Sequence, residues 1–169
     1  CEVQCAPIKM GESKHIYVYD FESAQIPHES ELCTVHEVNL VCCRRAYPDE
    51  GEDRTLFHSL DAFMTYVLSF TEERRIYLAH NGGRYDVQFI MRYLERNLIP
   101  HDFVPTPSSM HAYLSVTIPF GANKAAIFLD FRNFMPSSLK SIAISFGLNN
   151  QKGDFPHKFN NGVNTNYVG

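Results

Sequence analysis

The sequence predicts an α/β fold built on a mixed sheet, and three observations lead there. Two stretches rich in β-branched and aromatic residues come first, near 14–22 and 34–43. Segments with apolar residues every three or four positions then alternate with short apolar runs. Last comes a pair of alternating stretches separated by Gly121-Ala122-Asn123, the pattern of a hairpin. Strands followed by strand–helix alternation imply a sheet with both parallel and antiparallel neighbours. A chain of 169 residues suits one domain with a sizeable core.

Taken in order, residues 1–13 read as a leader without strong structure, and 14–169 as the domain. The first strand covers roughly 14–22, a loop follows from Gln25 to Glu31, and a second strand near Thr34–Cys43 runs back along the first. Tyr47 to Asp53 is polar and turn-forming and reads as an exposed loop. Ser59 caps a helix whose stripe is Leu60, Phe63, Met64, Val67 and Leu68; the stretch Thr71–Arg75 ends it, and Ile76–Ala79 is a short buried strand. After Gly82-Gly83 a second helix places Val87, Ile90, Met91, Leu94 and Leu98 inward and stops at Pro100. Pro105–Ser109 reads as a loop, and Tyr113–Pro119 with Ala125–Phe131 as the hairpin. Pro136-Ser137-Ser138 opens a last helix with Leu139, Ile142, Ala143 and Phe146 inward and Gly147 as its C-cap. The arrangement suits a ribonuclease H-like core, a mixed central sheet flanked by helices.

Composition narrows the function classes. Hydrophobic residues make up 44% and charged residues 20%, ordinary globular material. No apolar run approaches the roughly 20 residues that span a bilayer, so no membrane role is expected. The five cysteines form no disulfide framework or complete zinc pattern, although Cys1 and Cys5 are spaced like half of a zinc site. Reduced thiols in an intracellular protein follow. A net charge of −4 argues against gripping long duplex through a broad basic face, but leaves room for a site that holds a few nucleotides by stacking and metal contacts. The chain begins at Cys1, which fits a piece of something longer or a processed product.

Chemistry concentrates in two places. In the first strand Asp20 and Glu22 are two residues apart, so an extended backbone puts them on one face, with Tyr19 and Phe21 on the other. Adjacent carboxylates repel and are costly to bury unless a cation sits between them. Hard oxygen ligands suit Mg²⁺ or Mn²⁺; the plainer alternative is an acidic, solvated strand end. The second place is His80-Asn81-Gly82-Gly83-Arg84-Tyr85-Asp86, where a strand gives way to a helix with Asp86 in its first turn. A carboxylate there is favoured by the exposed N–H groups, and is on that account alone often just a stabiliser.

The ordered pair of strings, Tyr19-Asp20-Phe21-Glu22 and His80 to Asp86, resembles the first two exonuclease motifs of family B DNA polymerases. The protein-primed branch found in linear plasmids, some viruses and Maverick/Polinton-type elements is the nearest in pattern. Asp130-Phe131-Arg132-Asn133-Phe134-Met135-Pro136 and the segment Lys152–Asn160 look like downstream signatures of that branch. The resemblance implies a 3′→5′ proofreading exonuclease attached to a polymerase. Asp20, Glu22 and Asp86 would hold two divalent ions, Mg²⁺ or Mn²⁺, that activate water and stabilise the leaving 3′ oxygen. By the same resemblance Ser23, His80, Asn81, Tyr85 and Phe89 would contact a single-stranded DNA 3′ end. The implied partners are the rest of the polymerase and a terminal protein primer.

The pattern is incomplete. The family's third motif, Tyr-x-x-x-Asp, does not occur; Asp154 is the last aspartate and Asn150 stands where the Tyr belongs. Asp130 matches a different family position and reads as a residue that turns the chain or pairs with a nearby Lys or Arg. Phe131-Arg132 replaces the Ser-Leu expected at a primer-gripping position. Two explanations stand: the chain ends before the motif, or the motif is lost and the chain is a degenerate module for nucleic-acid binding or protein interaction. An exonuclease acting on RNA is a further alternative, since carboxylate chemistry does not read the 2′-OH.

Overall fold

The computed structural model describes residues 15–27, 34–47, 54–107 and 109–148. The expected leader, residues 48–53 of the expected loop, Asp154 and the Lys152–Asn160 segment lie outside them.

A β-branched and aromatic run makes His15–Pro27 a strand (β1), which ends five residues later than its sequence pattern suggested. Thr34–Tyr47 (β2) returns antiparallel to it. Arg54–Phe57 (β3) adds an unforeseen edge strand on β2. Helix α1, Leu60–Leu68, starts where the Ser59 side chain accepts the Ala62 N–H, as its capping position predicts. Arg74–Ala79 (β4) runs parallel to β1, and α2 spans Asp86–Arg96. Asp102–Thr106 (β5), Ser109–Gly121 (β6) and Lys124–Asp130 (β7) complete a seven-stranded sheet in the order β3-β2-β1-β4-β7-β6-β5. The parallel centre, β1-β4-β7, has antiparallel strands on both sides.

Pleat alternation divides the sheet into two unlike faces. One carries Tyr17, Tyr19, Phe21, Tyr77, Val116 and Phe128, all buried against Phe63, Met64 and Val67 of α1 and Val87, Ile90, Met91 and Leu94 of α2. Across the three parallel strands Tyr17, Tyr77 and Phe128 stack, with centroids 5.2 and 5.1 Å apart. The other face presents Val18, Asp20, Cys42, Arg44 and Leu78. It is more open, with Val18 and Asp20 exposed.

Four expectations are corrected. The stretch around Pro105 is a strand rather than a loop, tolerated because β5 lies at the sheet edge and its register shifts at Pro105. Helix α2 ends before Leu98, which is exposed rather than inward. Buried β4 begins at Arg74, inside the stretch read as the end of α1. Helix α3, Leu139–Ser145, forms with Ser138 as its cap, but of its expected inward residues only Ile142 and Ala143 are half-buried and none is fully buried. Leu139 and Phe146 are exposed, because periodicity marks a stripe that wants a partner without saying which surface supplies one.

Candidate active site

The site forms where β1 outruns its neighbour. Pairing with β4 ends at Val18–Leu78, so among the described residues the β1 backbone beyond that point has no strand on this side. The Phe21 N–H is claimed instead by Asp86, whose Oδ1 accepts it at 3.1 Å. This one bond brings the first residue of α2 to the peptide group between Asp20 and Phe21. Asp20 is exposed and Glu22, two residues along, is half-buried on the same face; a register shift follows between Glu22 and Ser23. Asp86 is buried, and burial followed by the Asp20 charge pushes its carboxyl up to about 7, against the two backbone hydrogen bonds that favour the charged form. Tyr19 is driven well above its ordinary value by burial and then by Asp86 and Asp130. Its hydroxyl has no hydrogen-bond partner among the described residues.

The connection from β4 to α2 is held from below by Asp130, at the end of β7. Its carboxylate accepts the N–H groups of Asn81 at 2.8 Å, Gly83 at 3.1 Å and Arg132 at 2.9 Å. Asp130 thus turns the chain, one of the two roles its position allowed, and takes the backbone rather than the guanidinium of Arg132. Asn81 adopts a left-handed φ of 64° and its side-chain oxygen accepts from Arg132 Nη1 at 2.8 Å. The glycine pair serves close packing: a Cβ on Gly83 would lie 2.3 Å from the Tyr113 carbonyl oxygen, and one on Gly82 would lie 2.6 Å from the Ala79 Cβ. His80 Nε2 meets the Ser137 carbonyl oxygen at 2.8 Å, joining this connection to the start of α3.

Ser23, Tyr85 and Phe89 form one side of the site. Ser23 Oγ is 2.5 Å from the Tyr85 hydroxyl, and both lie 3.2 Å from His36 Nδ1. Tyr85 packs edge-on against Phe89 at 5.2 Å, and Phe89 reaches Phe21 in the core at 6.4 Å. Phe89 is therefore half core and half wall. His36 is a residue that sequence reasoning missed; only the β1–β2 register, which sets it opposite Gln25, brings it here.

Two clefts meet at Asp20. One, about 730 Å³, is lined by Asp20, His80, Asn81, Arg132, Ser137 and Ser138 among others. The second, about 460 Å³, is lined by Val18, Tyr19, Asp20, Cys42, Arg44 and Arg54. Among the described residues no three His, Cys, Asp or Glu side chains are grouped closely enough to hold a metal ion. The charge of Asp20 raises the Asp86 carboxyl, and Glu22 stands one pleat further along. Their hard carboxylate oxygens fit a divalent cation in kind. No helix of the described residues is long and apolar enough to cross a membrane.

Known proteins resemble this chain in sequence and in fold. The family model for DNA polymerase type B, organellar and viral, matches residues 67–169. A probable DNA polymerase of Ascobolus immersus is 32% identical over 117 residues, covering 65% of this chain and 9% of that protein. One of Podospora anserina is 43% identical over 56 residues, covering 33% and 5%. The chain thus spans less than a tenth of the length of these relatives. Phi29 DNA polymerase in an orthorhombic crystal form superposes with a TM-score of 0.72 at 21% identity, over 92% of this chain and 27% of that one. Its complex with single-stranded DNA gives a TM-score of 0.69 at 22% identity, over 85% and 25%. The likeness shows the fold, the ribonuclease H-like arrangement expected from the order of elements.

Proposed function

This chain belongs to the type B DNA polymerases of organelles and viruses, and from that premise we propose that it carries the 3′→5′ proofreading exonuclease of a protein-primed member. The observation that supports this most directly is the bond from the Phe21 N–H to Asp86, which sets the helix carboxylate beside Asp20 at the open end of the sheet. Asp20, Glu22 and Asp86 are the residues that would hold Mg²⁺ or Mn²⁺. Two such ions would neutralise charge and align attack of water on the 3′-terminal phosphodiester.

The chain's own residues orient the strand. Tyr85, 40% exposed, offers a ring face to a base while Ser23 and His36 fix its hydroxyl and Phe89 its edge. Asn81, strained into the left-handed region and tied to Arg132, holds its amide toward the larger cleft together with His80. Asp130 keeps this connection in place without touching the strand. The partners in this reading are a single-stranded DNA 3′ end, the rest of the polymerase and a terminal protein primer.

One observation favours a second reading, a nucleic-acid-binding module without catalysis: no three metal-ligating side chains are grouped among the described residues. Digestion of a 3′-labelled single strand in Mn²⁺ separates the two. The exonuclease reading expects mononucleotide release that falls by at least about 100-fold in the Asp20→Ala, Glu22→Ala double variant, the scale set by loss of one electrostatic stabiliser. Binding without cleavage supports the module, and release that survives the double variant refutes the exonuclease site.

A further inference from the structure

The smaller cleft has a charge pattern that the exonuclease reading does not use. Arg44 stands directly opposite Val18 on β1 and directly opposite Arg54 on β3. Two arginines facing each other across an antiparallel pair concentrate positive charge at one point of the sheet. Both line the cleft of about 460 Å³, whose other charged lining residue among the described residues is Asp20. Among the described residues, two guanidinium groups therefore share this cleft with one carboxylate. Asp20 pairs with Cys42, so Arg44 is its diagonal neighbour, a separation of about 7–8 Å between backbones. Long side chains easily cover that span, and it is close to one step along a nucleic-acid strand. Asp20 also borders the larger cleft, so the two form one trough across the open face with the carboxylate at the middle.

We propose that Arg44 and Arg54 form a phosphate-binding subsite that grips a phosphodiester of the single strand adjacent to the one at Asp20. The assignment rests on the reading of this face as a nucleic-acid site and adds a contact running toward the β3 edge. Guanidinium groups suit it because their planar donors match phosphate oxygens in pairs. The subsite also gives an acidic chain a local means of holding a polyanion next to carboxylates.

The test is the binding of a short single-stranded oligothymidylate to the chain across a salt series, with Ca²⁺ replacing Mg²⁺ to suppress hydrolysis. In the Arg44→Gln, Arg54→Gln double variant, affinity falls by about tenfold or more. The slope of log affinity against log salt becomes shallower by about 0.7, the loss of one single-strand phosphate contact. The Arg44→Lys, Arg54→Lys variant keeps the slope because it keeps the charge. An unchanged slope and affinity in the glutamine variant, or a loss of thermal stability with the slope intact, overturns the subsite while leaving the exonuclease reading standing. A mononucleotide, dTMP, whose affinity falls by the same factor assigns the arginines to the product phosphate and overturns the strand contact. Absence of oligonucleotide binding by the unaltered chain removes both readings.

Discussion

Asp86 concentrates the electrostatics of the site in one group. It is buried and faces the charge of Asp20, which push its carboxyl up to about 7 against the hydrogen bond it accepts from the Phe21 N–H. An unfolded aspartate titrates near 3.9. Between about pH 4 and pH 7 the folded chain therefore retains a proton that the unfolded chain has released, and stability falls as pH rises through this window. At roughly 1.4 kcal/mol per unit the loss is on the order of 4 kcal/mol in the absence of a cation. In Asp86→Asn the side chain no longer titrates. Urea denaturation in the presence of a chelator, at either end of the window, should show the difference between the natural chain and Asp86→Asn shrinking or reversing as pH rises. A difference that is flat with pH would mean that Asp86 is charged throughout and already compensated.

Helix ends show how much of the architecture was legible and why the rest was not. The start of α1 was readable because Ser59 precedes an apolar stripe, and the end of α3 because Gly147 takes a left-handed φ of 66°. After α3 the Leu148 N–H bonds the Ala143 carbonyl and the Gly147 N–H that of Ile144, a Schellman turn with its customary glycine. Helix α2 ends in the same way, with Ile99 N–H to Leu94 and Leu98 N–H to Glu95, but the left-handed position holds Leu98 at φ 53°. Nothing in the sequence marks that turn, and the spacing from Leu94 to Leu98 suggests one more inward turn of helix. Likewise β5 was hidden by Pro105, and β3 by being four residues long. A leucine in the left-handed region costs about 1–2 kcal/mol, partly offset on substitution by the greater freedom of glycine in the unfolded chain. Leu98 is 88% exposed, so no packing is lost. Leu98→Gly should raise stability by about 0.5–1 kcal/mol, read as a higher urea midpoint at constant slope. A lower midpoint would show that the leucine side chain contributes more than the turn takes away.

At the scale of the molecule the sheet divides the work: the helices bury one face and the other carries the trough. Asp20 and Glu22 were visible in the sequence because their two-residue spacing determines their face, and Asp86 because of the string around it. His36, the Asp130 clasp and the Arg44–Arg54 pair depend on strand register, which no local pattern specifies. The carboxylates come from both layers, Asp20 from the open face of β1 and Asp86 from α2 in the helix layer. On the proposed reading, an ion held between them would tie the layers together and would bind the folded chain alone. It should then stabilise the fold by mass action, by about 2.7 kcal/mol at a hundredfold excess over its Kd. For a chain of this size that amounts to a rise in Tm of about 5–10 °C. The rise should be larger near pH 8 than near pH 5, where protons compete for the same carboxylates. Asp20→Asn should abolish it, while Glu72→Gln, which alters an exposed carboxylate paired with Lys124, should leave it intact. Scanning calorimetry with and without Mn²⁺ measures the shift directly. A shift that persists in Asp20→Asn places the ion elsewhere, and a chain unmoved by Mn²⁺ at either pH has no ion bridging its two layers.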